Sequence, residues 1–485
     1  MTHSSVGLAR GILRNAAALF LVGAFAKGAG LLIAILVARF LGTDAMGLFA
    51  LLFSIAILLE TFISLGMSQS LVRDVAARPD QTTSLYHSSL KLVAWISLVP
   101  AIALALAAFL VTGEGTTRAS LLVIAIGTPI SGAFVVSQAV LQGMERVLFL
   151  TWTTFLARIL SLILLAYVLY RGASVEAAFA SRLLFQVLSL AAFLPSLWRR
   201  PKTNDGKYTT RELLTQSLPF AMNLGIRDLG VRLPSFVLPG AFGLGAAGIF
   251  DAANRIRSTL GMTMSASIVG LMPSFARNLG PSGSSPDALI GYSMKYMCLG
   301  MSAVATLIAL LADSIIELLF GSAFAAASRP LQILVWTQVL VAVDAVLQQA
   351  MLATRAVYPA IRHSAVGVAG QLALILLLAM VLGLPGAALA VLLSSALTLA
   401  LDLRFVVKNV SPIPIRRFAV APLAAAGLVA ILMLVLDGVP FAVRLLVAFG
   451  SWGVAIALFR VLPREERRFM MQLASLRRAK QAGNI

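Results

Sequence analysis

Residues 42–49 read GTDAMGLF, and residues 243–250 read GLGAAGIF. Both glycines of the first stretch, its alanine and its phenylalanine recur in the second stretch 201 positions later. Each stretch lies between two long apolar segments, where a short link between spanning helices is expected. Because an internal repeat constrains the whole architecture, the two stretches predict two related halves.

Further matches follow in chain order. Lys27 and Asp228 are also 201 positions apart, so each half has a charge in the middle of its first helix. QAVL at 138–141 resembles QAML at 349–352, with an offset of 211. The same offset of 211 relates two further pairs, Gly172 with Gly383 and Ala177 with Ala388.

The composition predicts that the repeat lies in a membrane. Hydrophobic residues make up 60% of the 485 residues and charged residues 12%, whereas soluble domains average about 25% charged residues. Runs of the length that a spanning helix needs give about fourteen transmembrane helices. We expect an all-α polytopic membrane protein with two six-helix lobes and two C-terminal helices. Since six is even, both lobes enter the bilayer in the same direction, as a parallel pseudo-twofold repeat around a substrate site.

Composition shifts divide the chain into five parts. The N-terminal lobe covers residues 1–198, and the polar stretch 199–212 is predicted to be a cytoplasmic loop between lobes. The C-terminal lobe covers 213–409 and the two additional helices 410–462, and a basic tail follows at 463–485. Basic residues concentrate in alternate loops and in the tail, which places both termini in the cytoplasm.

The charge and the sparse cysteines and histidines exclude several function classes. Topology accounts for most of the formal net charge of +19, and no soluble segment offers a basic face to nucleic acid. One cysteine and three scattered histidines predict no disulfide and no metal site. Neither a phosphate-binding loop nor a G-x-S-x-G elbow is present. We therefore expect a transporter rather than an enzyme, without catalytic residues or a resident cofactor.

Charges inside the spans identify the candidate site, because a charge at the bilayer centre costs about 2.5–3.5 kcal/mol. Asp228–Arg232 and Asp251–Arg255 have the spacing of ion pairs on one helix face, which leaves the charges of Lys27, Arg227 and Arg257 unmatched. A cationic cavity suits an anion, and guanidinium groups suit phosphate oxygens. Pairing that merely permits insertion is the alternative. The predicted substrate-binding set is Lys27, Arg227, Arg232, Arg255 and Arg257.

Other intramembrane charges are candidates for different roles, or have roles that the sequence leaves undecided. Asp228 and Asp251 are candidates for proton or sodium coupling. Arg39 and Asp44, at the outer end of the first helical hairpin, are candidates for an outer gate or simply for the interface. Glu60 and Asp344 are isolated acids in the sequence. For Arg158 and Arg182 a structural role and a functional role both fit the sequence.

The chain resembles the polysaccharide transporter branch of the MOP (MATE-like) superfamily, the Wzx-type flippases. The resemblance is diffuse and covers essentially the whole chain. The residues that carry it are ARFLG at 38–42, Gly47, Gly66-Met67, RDVA at 73–76, GIF at 248–250, Ala253, Arg255-Ile256, Pro273 and Arg277.

The resemblance implies a V-shaped pair of lobes around a cationic cavity in a bacterial inner membrane. It implies that the substrate is a polyprenyl-pyrophosphate-linked oligosaccharide, such as an O-antigen or exopolysaccharide repeat unit, flipped to the outer leaflet. A polysaccharide polymerase and glycosyltransferases would be its partners. Three alternatives stay open: a proton- or sodium-coupled multidrug exporter that uses Asp228 and Asp251, a lipid II flippase, and a non-transporting membrane scaffold.

Overall fold

A computed structural model describes most of the chain. The described residues are 3–64, 67–110, 115–198, 210–278, 286–354, 356–414, 418, 420–435 and seven single positions between 443 and 454. Side chains of 3–27, 210–220 and 262–278, and of a few single positions, are outside this description. The predicted inter-lobe loop is therefore covered only at 210–212, and the predicted tail at 463–485 is not covered.

The described residues form helices and contain no strand. Two 3₁₀ helices, Pro79–Gln81 and Ser322–Ala327, lie between α-helices. The α-helices are α1 His3–Ser64, α2 Met67–Ala77, α3 Thr82–Leu110, α4 Gly115–Gly143, α5 Val147–Tyr170, α6 Glu176–Trp198, α7 Thr210–Asn278, α8 Pro286–Leu310, α9 Ala312–Phe320, α10 Ser328–Ala353, α11 Val357–Asn409 and α12 Ala421–Val435.

Three of these helices are too long for one crossing, and each is broken at a glycine. A straight helix of 62 residues, the length of α1, would reach about 93 Å, against a hydrocarbon core of about 30 Å. α1 breaks at Gly42, α7 at Gly243 and α11 at Gly383. Their φ angles of 83°, 83° and 64° lie in the region that favours glycine.

The contacts of α11 show that the chain reverses at its glycine. A Cβ added at Gly367 would lie 2.1 Å from the Thr398 hydroxyl oxygen, and one at Gly370 would lie 3.3 Å from Leu397. Residues on opposite sides of Gly383 therefore pack side by side, as in an antiparallel helical hairpin. Each long helix is accordingly read as two crossings.

Counting crossings in this way supports the predicted architecture. The described residues contain nine apolar segments long enough to span a membrane, and doubling the three long ones gives twelve. Six precede residue 199 and six follow residue 209. α12 is an apolar helix in the position of the predicted thirteenth span. The fourteenth falls outside the described residues and stays a prediction, whereas the all-α polytopic class is confirmed.

The glycines matched by the sequence repeat have matching conformations. Gly42 and Gly243 share a φ of 83°, and Gly172 and Gly383 have φ values of 89° and 64°. Gly321 has a φ of 95°. All five lie on links from an odd-numbered to an even-numbered crossing, so alternation of direction puts them at one end of the bundle. We call this the glycine end.

The outer faces of the helices carry large apolar side chains. Trp95 is 74% exposed, Leu110 80% and Met380 74%. Such exposure would be unfavourable in water over so wide a surface, but it suits contact with lipid. The described part is a multi-pass membrane protein.

The two lobes meet backbone to backbone at the glycine end. A Cβ on Gly47 would lie 1.9 Å from the carbonyl oxygen of Leu244, and a Cβ on Gly248 would lie 2.1 Å from that of Thr43. α1 and α7 thereby form the most extensive helix pair in the described chain. One continuous apolar core crosses between lobes here, through Phe49 and Phe250 among others.

The other half of the first lobe has an apolar core of its own, which contains Leu85, Val140 and Phe193. At that level the lobes meet through side chains: a Cβ on Gly225 of α7 would lie 3.6 Å from the Phe62 ring of α1. The hydroxyl of Thr61 in α1 donates a 2.6 Å hydrogen bond to Asp228 in α7. The lobes are therefore joined firmly at the glycine end and more loosely away from it.

We expect Gly248→Ala to weaken this junction, because its methyl group has no room beside the Thr43 carbonyl. Overpacking of this kind costs about 1–3 kcal/mol, so the apparent melting temperature in detergent should fall. Gly240→Ala, on the same helix, is the matched control, since no atom lies within 4 Å of the added Cβ. Equal melting temperatures for the two variants would contradict the assigned contact.

Candidate functional site

A cavity of about 640 Å³ lies between α1, α7, α10 and α11. On both sides of Gly243, the α7 residues that line the cavity lie between eight and about eighteen positions from this glycine. At 1.5 Å per residue, this corresponds to about 12–27 Å along the helix axis. It therefore begins below the closed glycine end and continues through the middle of the bundle.

The two walls of the cavity differ in chemistry. The first lobe contributes only uncharged lining residues among those described, including Leu31, Phe53 and Ile57. The second lobe contributes every charged one, four arginines and three aspartates. These are Arg227, Asp228, Arg232, Asp251, Arg255, Arg257 and Asp344.

The reversal at Gly243 explains why distant residues of α7 gather here. Arg232 lies eleven positions before this glycine and Arg255 twelve after it, while Asp228 and Arg257 lie fifteen before and fourteen after. Residues at nearly equal sequence distances before and after the turn of a helical hairpin lie at nearly the same depth in the bundle. The structure thus brings all four predicted arginines of the second lobe to one cavity.

The predicted pair Asp251–Arg255 is present. Arg255 Nε donates to Asp251 Oδ2 at 2.9 Å, as the i,i+4 spacing allows. The guanidinium of Arg255 also lies 4.6 Å from the ring centroid of Phe53 and 5.0 Å from that of Phe49. Arg255 is therefore held both by its own helix and by aromatic rings of the first lobe.

The expected pair Asp228–Arg232 does not form. Asp228 instead accepts the hydrogen bond from Thr61, a partner that is distant in sequence and belongs to the other lobe. Arg232 lies 5.9 Å from the Phe53 ring centroid. Its buried Nε has no hydrogen-bond partner within the described part of the chain.

The expectation that Arg227 is unmatched and Asp344 isolated is wrong. Arg227 Nη2 donates to Asp344 Oδ2 at 3.1 Å, and the side chains are 33% and 6% exposed. The partners are 117 positions apart and meet because α10 packs beside α7. Arg227 Nη1 is buried without a hydrogen-bond partner among the described residues.

Arg257, like Arg232, has no ion-pair partner among the described residues. It is 6% exposed. Its Nε donates to Asn254 Oδ1 at 2.8 Å, and its Nη1 lies 3.5 Å from the Thr337 hydroxyl. Within the described chain Arg257 makes no ion pair, so its charge is offset only by neutral dipoles.

Lys27 lies in α1, but its side chain is outside the described residues. Its place in the substrate-binding set stays a prediction.

The sequence did not single out the uncharged polar part of the cavity wall. Hydroxyl and amide side chains from α10 and α11 line it: Gln338, Ser364, Gln371, Ser394, Ser395 and Thr398. Such residues are common in membrane helices, and no local spacing distinguishes these from others. Their common feature is that they face one space, which only the tertiary fold determines.

The two predicted gating residues lie at the glycine end, outside the cavity. Arg39 Nε donates to the Leu319 carbonyl at 3.0 Å, and its Nη2 donates to that of Glu317 at 3.2 Å. These carbonyls end α9, where the helix dipole favours a cation. A Cβ on Gly245 would lie 2.8 Å from Asp44 Oδ1. Both residues thus bridge first-lobe α1 to the second lobe.

Arg158 and Arg182 of the first lobe do not line this cavity, although the Arg182 guanidinium lies 5.5 Å from the ring centroid of Phe53. Arg182 forms an ion pair with Glu60, so Glu60 is not isolated as expected. Arg158 lies 3.3 Å from the ring centroid of Phe185. These contacts join α1, α5 and α6 within one lobe and favour a structural role for Arg158 and Arg182.

Comparisons with known proteins give one family match and several fold matches. The family model described as polysaccharide biosynthesis protein matches residues 12–279, more than half of the chain. No curated protein sequence matches the chain.

Several solved structures share the fold. The lipid II flippase MurJ in an inward closed conformation matches with a TM-score of 0.69 and 14% identity, covering 91% of this chain and 98% of that one. An inward-facing multidrug resistance MATE family transporter of the MOP superfamily matches with a TM-score of 0.64 and 17% identity, covering 79% and 94%.

A MOP superfamily transporter from Pyrococcus furiosus, described as having reverse polarity of its binding pocket, has a TM-score of 0.63 and 16% identity, covering 82% and 95%. At these identities the matches establish the fold alone.

The Arg227–Asp344 pair predicts an asymmetric mutational response. Arg227→Gln leaves the buried carboxylate of Asp344 without its partner. Breaking a buried pair in this way lowers the free energy of unfolding by about 3–5 kcal/mol. Asp344→Asn should cost less, because the remaining guanidinium is one-third exposed to the cavity. The double variant should recover most of the loss. Unfolding temperatures in detergent measure all three, and additive losses would contradict the pairing.

Proposed function

We propose that this chain, which belongs to the polysaccharide biosynthesis protein family and has the fold of MOP superfamily transporters, is a flippase for a polyprenyl-pyrophosphate-linked oligosaccharide. The cargo is an O-antigen or exopolysaccharide repeat unit, moved from the cytoplasmic to the outer leaflet of a bacterial plasma membrane. The supporting observation is a set of unsatisfied arginine donors in one wall of the cavity.

These donors identify an anion as the fitting ligand. Arg227 Nη1 and Arg232 Nε are buried without acceptors among the described residues, and Arg257 has no ion-pair partner there. Buried donors are normally satisfied, since an unpaired one costs about 1–3 kcal/mol. A pyrophosphate offers several charged acceptor oxygens that suit guanidinium groups. We assign the first contacts of the pyrophosphate to Arg257 and Arg232, because Arg255 is already paired with Asp251 and Arg227 with Asp344. Arg227 joins them through its Nη1, which has no acceptor among the described residues.

The remaining surfaces of the cavity suit the rest of such a molecule. The uncharged first-lobe wall, with Leu31, Phe53 and Ile57, fits an isoprenoid chain. The hydroxyl and amide groups of α10 and α11 fit sugar hydroxyls. Two walls of opposite character are what a ligand with an apolar tail and an anionic, hydroxylated head requires.

Alternating access follows from the asymmetry of the lobe contacts. With both termini in the cytoplasm, the glycine end is on the outer side, and the cavity lies on the cytoplasmic side of it. Exposing the cargo to the outer leaflet requires the Gly47–Gly248 junction to separate. It also requires the Arg39 contacts with α9 to break, which is the gating role proposed for Arg39 and Asp44.

The described charges favour this cargo over a cationic drug. Asp228 accepts from Thr61, Asp251 pairs with Arg255, and Asp344 pairs with Arg227. The cavity therefore presents no unoccupied carboxylate within its described lining. Lipid II shares the polyprenyl-pyrophosphate chemistry and has to be distinguished by experiment. Polymerase and glycosyltransferase partners are part of the same proposal.

We expect Arg257→Gln and Arg232→Gln each to reduce polysaccharide export more than tenfold. A charge-assisted hydrogen bond contributes about 1.5–3 kcal/mol, and about 1.4 kcal/mol corresponds to tenfold. The measurement is surface polysaccharide in a strain that lacks its own copy of the gene, at matched membrane levels of protein. Arg257→Lys should retain part of the activity, because it keeps the charge without the bidentate geometry.

Arg158→Gln is the matched control, since it removes an intramembrane guanidinium that stacks on Phe185 outside the cavity. Its export should stay near that of the wild type. Normal export by both cavity variants would exclude this site. Rescue of a strain depleted of its lipid II flippase would shift the substrate to lipid II, and raised drug resistance would shift it to drugs.

The gating role can be tested by cysteine labelling. The single cysteine of the chain, Cys298, is buried, so we expect it not to react. A cysteine introduced at Ser54, on the cavity wall, reports access from outside through labelling by a membrane-impermeant maleimide. Arg39→Ala should increase labelling severalfold, because α9 loses its contact with α1. Arg118→Ala is the control: Arg118 stacks on Phe109 of its own lobe. Equal labelling in both would refute the gate.

A further inference from the structure

A second polar group lies behind the cavity wall in the second lobe. It consists of Asp344 and Gln348 from α10 and His363 and Asp402 from the two crossings of α11. These four residues are 4%, 6%, 6% and 0% exposed, respectively. None of the roles assigned above to the cavity uses Gln348, His363 or Asp402.

The four side chains form one connected network. His363 Nδ1 lies 2.6 Å from Asp402 Oδ1, and Gln348 Nε2 donates to Asp402 Oδ2. The carboxyl group of Asp402 lies near that of Asp344. Asp344 Oδ2 accepts from Arg227, while its buried Oδ1 receives no N–H or hydroxyl donor from the described residues. Arg227 therefore connects this network to the cavity.

The charges of the network require a proton. Two carboxylates face one guanidinium, so the group has an excess negative charge unless one proton is bound. The charged neighbours do not remove the excess: Asp228 adds negative charge and is bonded to Thr61, and Arg362, next to His363, is exposed.

A proton fits this site better than a metal ion does. The described residues include no group of three or more histidine, cysteine, aspartate or glutamate side chains arranged to hold a metal. Burial makes an uncompensated charge costly, and protonation of a carboxyl group or of His363 is the response open to these side chains.

We propose that Asp344, Asp402 and His363 form a proton-binding site, and that an anion bound at Arg227 draws one further proton onto Asp344. The proposal rests on the proposed function only in taking a pyrophosphate as the ligand of Arg227. In the free protein the Asp402–His363 pair holds one proton, and Arg227 neutralises the carboxylate of Asp344.

Ligand binding changes this balance. When the pyrophosphate takes Arg227, Asp344 loses its cationic partner and becomes a buried, unpaired carboxylate. One proton from water in the cavity then adds to a carboxylate oxygen of Asp344, and no other bond changes. By thermodynamic reciprocity, protonation of Asp344 also frees Arg227 and strengthens anion binding.

The test measures protons taken up on binding by the purified full-length chain in detergent. The probe is farnesyl pyrophosphate, and its heat of binding is recorded at one pH in two buffers with different ionisation enthalpies. We expect uptake of about one proton per ligand beyond that of the probe itself, by linkage. Affinity should rise as the pH falls, by up to tenfold per unit.

Asp344→Asn should bind the probe without this uptake, because an amide accepts no proton. Glu60→Gln is the matched control: it removes an intramembrane carboxylate that also pairs with an arginine but lies in the first lobe, and its uptake should equal that of the wild type. Should Asp344→Asn fail to fold, the double variant Arg227→Gln/Asp344→Asn, in which no buried carboxylate is left without its partner, replaces it, with weaker binding and no uptake expected.

The outcomes separate the two proposals. No binding of the probe by the wild type would contradict the proposed function. Binding with equal heats in both buffers would overturn the proton site and leave the proposed function standing. Uptake that persists in Asp344→Asn would overturn the assignment to Asp344.

Discussion

The close approach of two helix backbones at Gly47 and Gly248 is the contact on which the rest of the structure depends. Any side chain larger than hydrogen at these positions would meet a carbonyl oxygen of the opposite lobe. Because α1 and α7 meet there, one apolar core extends across both lobes at the glycine end. The lobes have a fixed junction on one side, and the space between their helices on the other side becomes the cavity.

The same hairpin geometry explains the electrostatics of that space. Reversal at Gly243 places charges from two crossings of α7 at one depth, and α10 adds the carboxylate that neutralises Arg227. The first lobe offers Phe53, whose ring lies near both Arg232 and Arg255. Among the described residues a charged wall therefore belongs to one lobe and a largely apolar wall to the other, so movement between the lobes changes the distance between these two surfaces.

Much of the fold was predictable from sequence, because spanning helices depend on length and apolarity and the repeat is visible in the glycines. Of the candidate site, the arginines were found because charges are rare in such segments, and Asp251–Arg255 followed from helical spacing. Other partners were not predictable: Arg227 with Asp344, Arg182 with Glu60 and Asp228 with Thr61 join residues more than a hundred positions apart. No local rule selects such partners, and the buried network around Asp402 was missed for the same reason.

The contact of Arg39 with α9 has a consequence for how this region can evolve. Its acceptors are main-chain carbonyls at the end of a helix, which every amino acid supplies. Substitutions in the last turn of α9 can accumulate without loss of the contact, provided that the helix still ends at the same place. Selection would then act on Arg39 and on Gly321, whose φ of 95° ends α9. Related chains can therefore differ in the side chains of this turn and still keep the contact between Arg39 and α9.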